Sequence, residues 1–158
     1  MISSYLNILA ESLKKKLAVL EKIEAENKSQ EEMLKEEAFP YDQFDSTVDK
    51  KGELIEELNA LDEGFETLYE RIRKELLGNR EAYAEQIQML QKLVAQVTEK
   101  SVSVQAQEAR NKRLVESAFA KEKSIIRSGR KNSKAAYDYY KNMSKGNVVM
   151  PQYMDKKK

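Results

Sequence analysis

The sequence predicts an all-α protein: an antiparallel up-down-up bundle of three long helices with a short C-terminal helix and a mobile basic tail. Three observations carry this. The 158 residues hold only five Gly and two Pro, too few for a turn-rich β fold. Apolar residues make up 41% of the chain, beyond what a disordered composition holds, although 35% is charged. Most telling is the stretch from Arg80 to Arg127, which has no Gly or Pro and carries two seams at seven-residue spacing. One runs Tyr83, Leu90, Val97, Val104, Asn111, Ala118, Ile125; the other runs Ile87, Val94, Ser101, Glu108, Val115, Glu122. Such a repeat belongs to a long helix packed on other helices.

The first helix is expected over Ser4 to Ala38, with Ser3 or Ser4 as N-cap. Leu6, Leu13, Leu20, Asn27 and Leu34 repeat along it, flanked by Leu9, Leu17 and Ile23. Asn27 breaks the apolar seam. A polar residue there either fixes register at a cost in stability or marks a place where the bundle splays. Residues 28–37 have only Met33 and Leu34 as apolar anchors, so this end is expected to fray. Pro40 ends the helix and steers Phe39 away from helical geometry. Phe39, Tyr41 and Phe44 are expected to pack over the bundle end.

A second helix is expected from Asp45 or Ser46, where Ser46 and Asp49 are spaced like a capping box. Val48, Leu54, Leu58, Leu61, Phe65, Leu68, Ile72 and Leu76 mark its buried stripe. Gly52 and Gly64 lie inside it, either for close helix approach or simply tolerated. Gly78 suits a C′ position and Asn79 the next N-cap, and so short a turn implies an antiparallel neighbour. Within the third helix, Ser101 to Gln107 alternates with period two like a strand. The seam continues in register on both sides, so helix is the reading. Residues 1–128 are thus expected to form the long-helix bundle. Residues 129–158 supply a hinge at Ser128–Arg130, a tyrosine-rich helix over Lys134–Met143 and a basic tail.

The first two helices are expected to be roughly 50 Å long and the third roughly 70 Å, at about 1.5 Å per residue. By this count nothing in the first hundred residues is left to cover the third helix beyond residue 112. Its late apolar residues, Leu114, Val115, Ala118, Phe119, Ile125 and Ile126, then form an uncovered stripe, with Tyr137, Tyr140 and Met143 able to close over it. Such a stripe is covered by the chain folding back, by a second copy, or by a partner's helix.

Function classes narrow by composition. There is no Cys and no His, which removes disulfides, thiolate metal sites and the commonest neutral-pH proton carriers. Pairs such as Glu31-Glu32 and Glu56-Glu57 sit in charge-rich faces and read as solvated surface. No phosphate-cradling Gly motif occurs, and no Glu-x-x-His pair for a di-metal site is possible. An enzyme is not expected, nor any cofactor or metal. Residues 121–158 hold 11 of the 28 Lys/Arg and 3 of the 27 Asp/Glu, leaving 17 and 24 in residues 1–120. The basic end with Tyr137, Tyr139 and Tyr140 invites a nucleic-acid reading. The acidic body and the sequence pI near 7.8 oppose it. No run approaches a membrane span, and the amphipathic start does not read as a signal peptide, so a cytoplasmic protein is expected.

Three stretches resemble the FlgN-like flagellar export chaperones in their Gram-positive form. They are Lys51–Ile72 (KGELIEELNALDEGFETLYERI), Glu85–Lys112 (EQIQMLQKLVAQVTEKSVSVQAQEARNK), and Tyr139–Met143 with the closing Pro151–Lys158. The most telling pattern is Lys51, Ile55, Leu58, Leu61, Asp62 and Phe65. The resemblance implies a small cytoplasmic helical chaperone that binds the C-terminal segment of a hook–filament junction protein. It would keep that segment unpolymerised and deliver it to the type III export apparatus. The resemblance also implies a C-terminal client site, which falls on the stripe from Leu114 to Ile126 and on Tyr137, Tyr140 and Met143. A different expectation from the same seams is an obligate homodimeric coiled-coil scaffold without a client.

Overall fold

The computed structural model describes residues 1–121. They form three long helices: α1 (Ile2–Leu34), α2 (Tyr41–Gly78) and α3 (Ala84–Lys121). A single 3₁₀ turn, Arg80–Tyr83, precedes α3. Among the described residues there is no strand, and Ser101 to Gln107 is helical throughout. The hinge, tyrosine-rich helix and tail expected over 129–158 lie outside the described residues.

Each boundary has a local cause. α1 stops at Leu34 rather than Ala38. The amides of Lys35 and Glu36 donate to the carbonyls of Glu32 and Met33, both at 3.2 Å, tightening the last turn before Pro40. α2 begins a full turn earlier than Asp45 or Ser46. The Pro40 carbonyl accepts the first helical bond, from the Phe44 amide at 2.9 Å, so Pro40 starts the helix as well as ending its predecessor. Ser46 and Asp49 therefore lie inside the helix and form no capping box. Thr47 bonds its hydroxyl back to the Phe44 carbonyl at 2.6 Å.

The turn after α2 also differs from expectation. Gly78 stays inside the helix, and no glycine among the described residues has positive φ. Asn79 does not cap forward; its side-chain amide donates back to the Glu75 carbonyl at 2.8 Å. Asn79 thus closes α2, and the 3₁₀ turn carries the chain into α3.

Most described members of the predicted seams are buried, while Leu34, Leu54, Leu61, Leu68, Tyr83 and Ala118 are half-buried. On α3, Leu90, Val97, Val104 and Asn111 are buried from the first seam, and Ile87, Val94, Ser101, Glu108 and Val115 from the second. On α2, Val48, Leu58, Phe65, Tyr69, Ile72 and Leu76 are buried.

The described residues divide into two compact units. The first takes Met1–Leu20 and Glu56–Ser101; the second takes Glu21–Ile55 and the residues from Val102 onward. In the first unit, Phe65 and Tyr69 stack with ring centroids 6.3 Å apart. Gln86 donates to Ser3 and Asn7 at 3.1 Å. In the second, Phe44, Val48 and Val115 form a cluster against which Met33, Leu34, Phe39 and Ile55 pack. Phe39 lies 4.7 Å from Tyr41 and 5.1 Å from Phe44, ring centroid to ring centroid, as expected of aromatics capping this end.

Gly52 and Gly64 are tolerated rather than required. A Cβ built on either meets nothing within 4 Å. Gly64→Ala is therefore expected to stabilise the protein by about 1 kcal/mol, since alanine gives up less backbone entropy in a helix. Urea denaturation checks this as a raised midpoint with unchanged slope.

Candidate functional site

The residues expected to bind a client do not all stand at the surface. Leu114 is 39% exposed, but Val115 is 4% exposed and packs on Phe44 and Val48. Ala118 is half-buried. Phe119 is helical, with its side chain outside the described part. Ile125, Ile126, Tyr137, Tyr140 and Met143 lie outside the described residues.

Burial of Val115 overturns the expectation that nothing remains to cover the helix beyond residue 112. That expectation started α2 too late and α3 too early. With α2 beginning at Tyr41 and α3 at Ala84, each spans 38 described residues. The additional first turn of α2 brings Phe44 over Val115.

The unexpected feature of the second unit is a buried polar layer drawn from all three helices. Lys51 of α2 is fully buried, and its ammonium lies 2.5 Å from the Glu108 carboxylate of α3, itself 5% exposed. The ammonium also donates to Gln30 Oε1 of α1 at 2.9 Å. Gln30 Nε2 donates to Thr47 Oγ1 at 2.9 Å. Asn111 donates to the Asn27 carbonyl at 3.0 Å, and Asn27 donates to Gln107 Oε1 at 3.2 Å. Two acceptors in this layer, Asn27 Oδ1 and Glu108 Oε2, are buried and receive no hydrogen bond from the protein.

The first unit has one analogue. Lys16 of α1, 2% exposed, pairs with Asp62 of α2, whose side chain is 23% exposed. Burial pushes the Asp62 carboxyl up, against the lowering effect of the Lys16 hydrogen bond and charge, and Glu66 adds to the rise.

Seam positions alone locate most of these residues. Leu9, Leu13, Lys16, Leu20, Ile23, Asn27 and Gln30 continue one alternation of three and four along α1. Val48, Lys51, Ile55 and Leu58 do the same on α2. Asn27, Ser101, Glu108 and Asn111 stand out as polar members of recognised seams. Lys16, Gln30 and Lys51 do not, because long polar side chains at such positions ordinarily snorkel to water.

Burial lowers the Lys51 ammonium from 10.5 to about 8, opposed by the charge and hydrogen bond of Glu108 and by the charge of Glu26. Between about pH 8 and 10.5 the unfolded chain then holds a proton at Lys51 that the folded chain has released. Stability from this group must rise with pH across that window. Wild type is expected to gain about 2 kcal/mol relative to Lys51→Met between pH 7.5 and 9.5, read by urea denaturation.

A lysine with a lowered pKa can be a nucleophile or base. Lys51, however, is fully buried, with Glu108 and Gln30 as its partners. Its lowered pKa is the mark of burial, which outweighs the opposing ion pair with Glu108. Among the described residues no group of three or more His, Cys, Asp or Glu is placed to hold a metal ion. No described helix is long and apolar enough to cross a membrane. No family model matches the chain, and neither a curated protein nor a solved structure matches it.

Proposed function

We propose that the chain is a non-catalytic cytoplasmic export chaperone for a flagellar structural protein. It would bind the amphipathic C-terminal segment of a hook–filament junction protein, keep it unpolymerised, and hand it to the type III export apparatus. The observation that carries this reading is where the resembling residues fall. Of the pattern on α2, Lys51 pairs with Glu108 and Asp62 with Lys16, and Leu58 and Phe65 are buried apolar residues. Ile55 packs on the cluster of Phe44, Val48 and Val115. The likeness thus falls largely on residues that build the interior of a long-helix protein.

The same reading includes an up-down-up arrangement with a fourth, short C-terminal helix. Pairings inside the second unit support the arrangement. Asn27 and Gln30 of α1 meet Gln107 and Asn111 of α3 in rising order. Val48 and Lys51 of α2 meet Val115 and Glu108 in falling order.

The client surface begins at exposed Leu114 and continues through Ala118, Phe119, Ile125 and Ile126, with Tyr137, Tyr140 and Met143 closing over the bound segment. Val115 supports this surface from beneath. Burying an amphipathic helix there hides the apolar face through which the client would otherwise polymerise. The neighbouring basic residues act mainly on association rate. Phe119→Asp with Ile126→Asp is expected to weaken binding of a purified junction protein at least about tenfold by calorimetry, with the helical signal intact. Unchanged affinity in a folded variant overturns the site.

A further inference from the structure

The two units differ sharply in what they bury. Among the described residues, the first buries 16 apolar side chains against two polar ones, Lys16 and Ser101. The second buries five apolar side chains, Ile23, Phe44, Val48, Val104 and Val115. Against them stand seven polar ones: Asn27 and Gln30 on α1, Thr47 and Lys51 on α2, and Gln107, Glu108 and Asn111 on α3. All three helices run through both units, so helix length and propensity do not explain the contrast.

We propose that the second unit opens as one cooperative body while the first remains folded, and that the buried polar layer is what sets this low opening threshold. Apolar burial is the main favourable term in folding, and a buried ion pair recovers little more than its desolvation cost. Among the described residues, opening the second unit exposes fewer buried apolar side chains than opening the first would. It also rehydrates Lys51 and Glu108 and opens Asn27 Oδ1 and Glu108 Oε2, which receive no hydrogen bond from the protein in the closed form, to bulk water. A fully satisfied polar network would stiffen the unit; an incompletely satisfied one is its weak point. Regions that open below the global free energy are those poor in buried apolar contact, and they do so as contiguous units.

Opening would also bare Phe44, Val48 and Val115 together with amide side chains, a surface suited to a partner helix that is itself both apolar and amide-bearing. That use rests on the chaperone reading; the opening itself does not, and its test requires no partner.

Native-state hydrogen exchange on the full chain, followed against sub-denaturing urea, decides the matter. Amides in 21–32, 45–55 and 102–115 are expected to exchange at least about tenfold faster than those in 58–76 and 87–97. They should share one opening free energy and one urea dependence. In the double variant Lys51→Met/Glu108→Leu the difference should shrink or vanish. Equal protection in the two units overturns the proposal. So does protection graded inward from residues 34 and 41 with no shared value, which is end fraying. Fast exchange that survives in the folded double variant removes the polar layer as the cause. The first two outcomes need only the wild-type protein.

Discussion

Glu108→Leu is expected to destabilise the protein by about 3–5 kcal/mol at pH 7, the usual cost of removing one partner from a buried ion pair. The lost carboxylate is the strongest influence holding up the Lys51 pKa, which burial already lowers to about 8. Without it, a fully buried ammonium must either stay charged without its carboxylate partner or give up its proton near neutral pH. Either way the folded state becomes less favourable. The double variant Lys51→Met/Glu108→Leu should recover the loss and match or exceed wild type, because neither side chain then carries a charge out of water. Denaturant melts of wild type, Glu108→Leu, Lys51→Met and the double form a cycle whose interaction energy should exceed about 1 kcal/mol. Additive single effects would mean that the two groups do not act as a pair. The pH dependence gives a second handle. Glu108→Leu should move the rise in stability associated with Lys51 to lower pH, while Lys51→Met removes it.

Phe44→Ala is the second large effect, expected to cost about 3–5 kcal/mol, as truncation of a buried phenylalanine does. Phe44 is 2% exposed and is packed by Phe39, Val48 and Val115. In a unit with few buried apolar side chains its ring is a large share of the core. Losing it also removes the first-turn cover that α2 gives to α3. Tyr41→Ala, which truncates a half-buried ring packed on Phe39, should cost less than half as much. Had α2 begun at Asp45 or Ser46, Phe44 would lie outside the helix and its truncation would cost little more than that of Tyr41.

These two residues also show what the sequence could and could not convey. The long helices were legible because a seven-residue apolar repeat has few other physical meanings; Leu90, Val97 and Val104 are buried where that repeat places them. The start of α2 was not, because Pro40 can end one helix and open the next, and it is the bond from the Phe44 amide to the Pro40 carbonyl that shows it does both. One turn of error at the start of α2 and another at the start of α3 were enough to leave Val115 without expected cover. The polar layer was half legible. Asn27, Glu108 and Asn111 interrupt seams and draw notice, whereas Lys51 looks like any other surface lysine in a charged run. Its seam position points inward, but a long polar side chain at such a position ordinarily snorkels to water. Its partner lies 57 positions away on another helix, and only tertiary packing brings the two together. The proposed client site was legible as a pattern from Leu114 to Met143, of which the described residues hold Leu114, Val115 and Ala118, with Phe119 held as backbone.

The central claim is that this chain binds the C-terminal segment of a hook–filament junction protein. Calorimetric titration of the full chain with that purified protein, intact and with the C-terminal segment deleted, tests it most directly. The account predicts saturable binding to the intact protein and none to the deleted form. No heat with either, or equal heat with both, would contradict it.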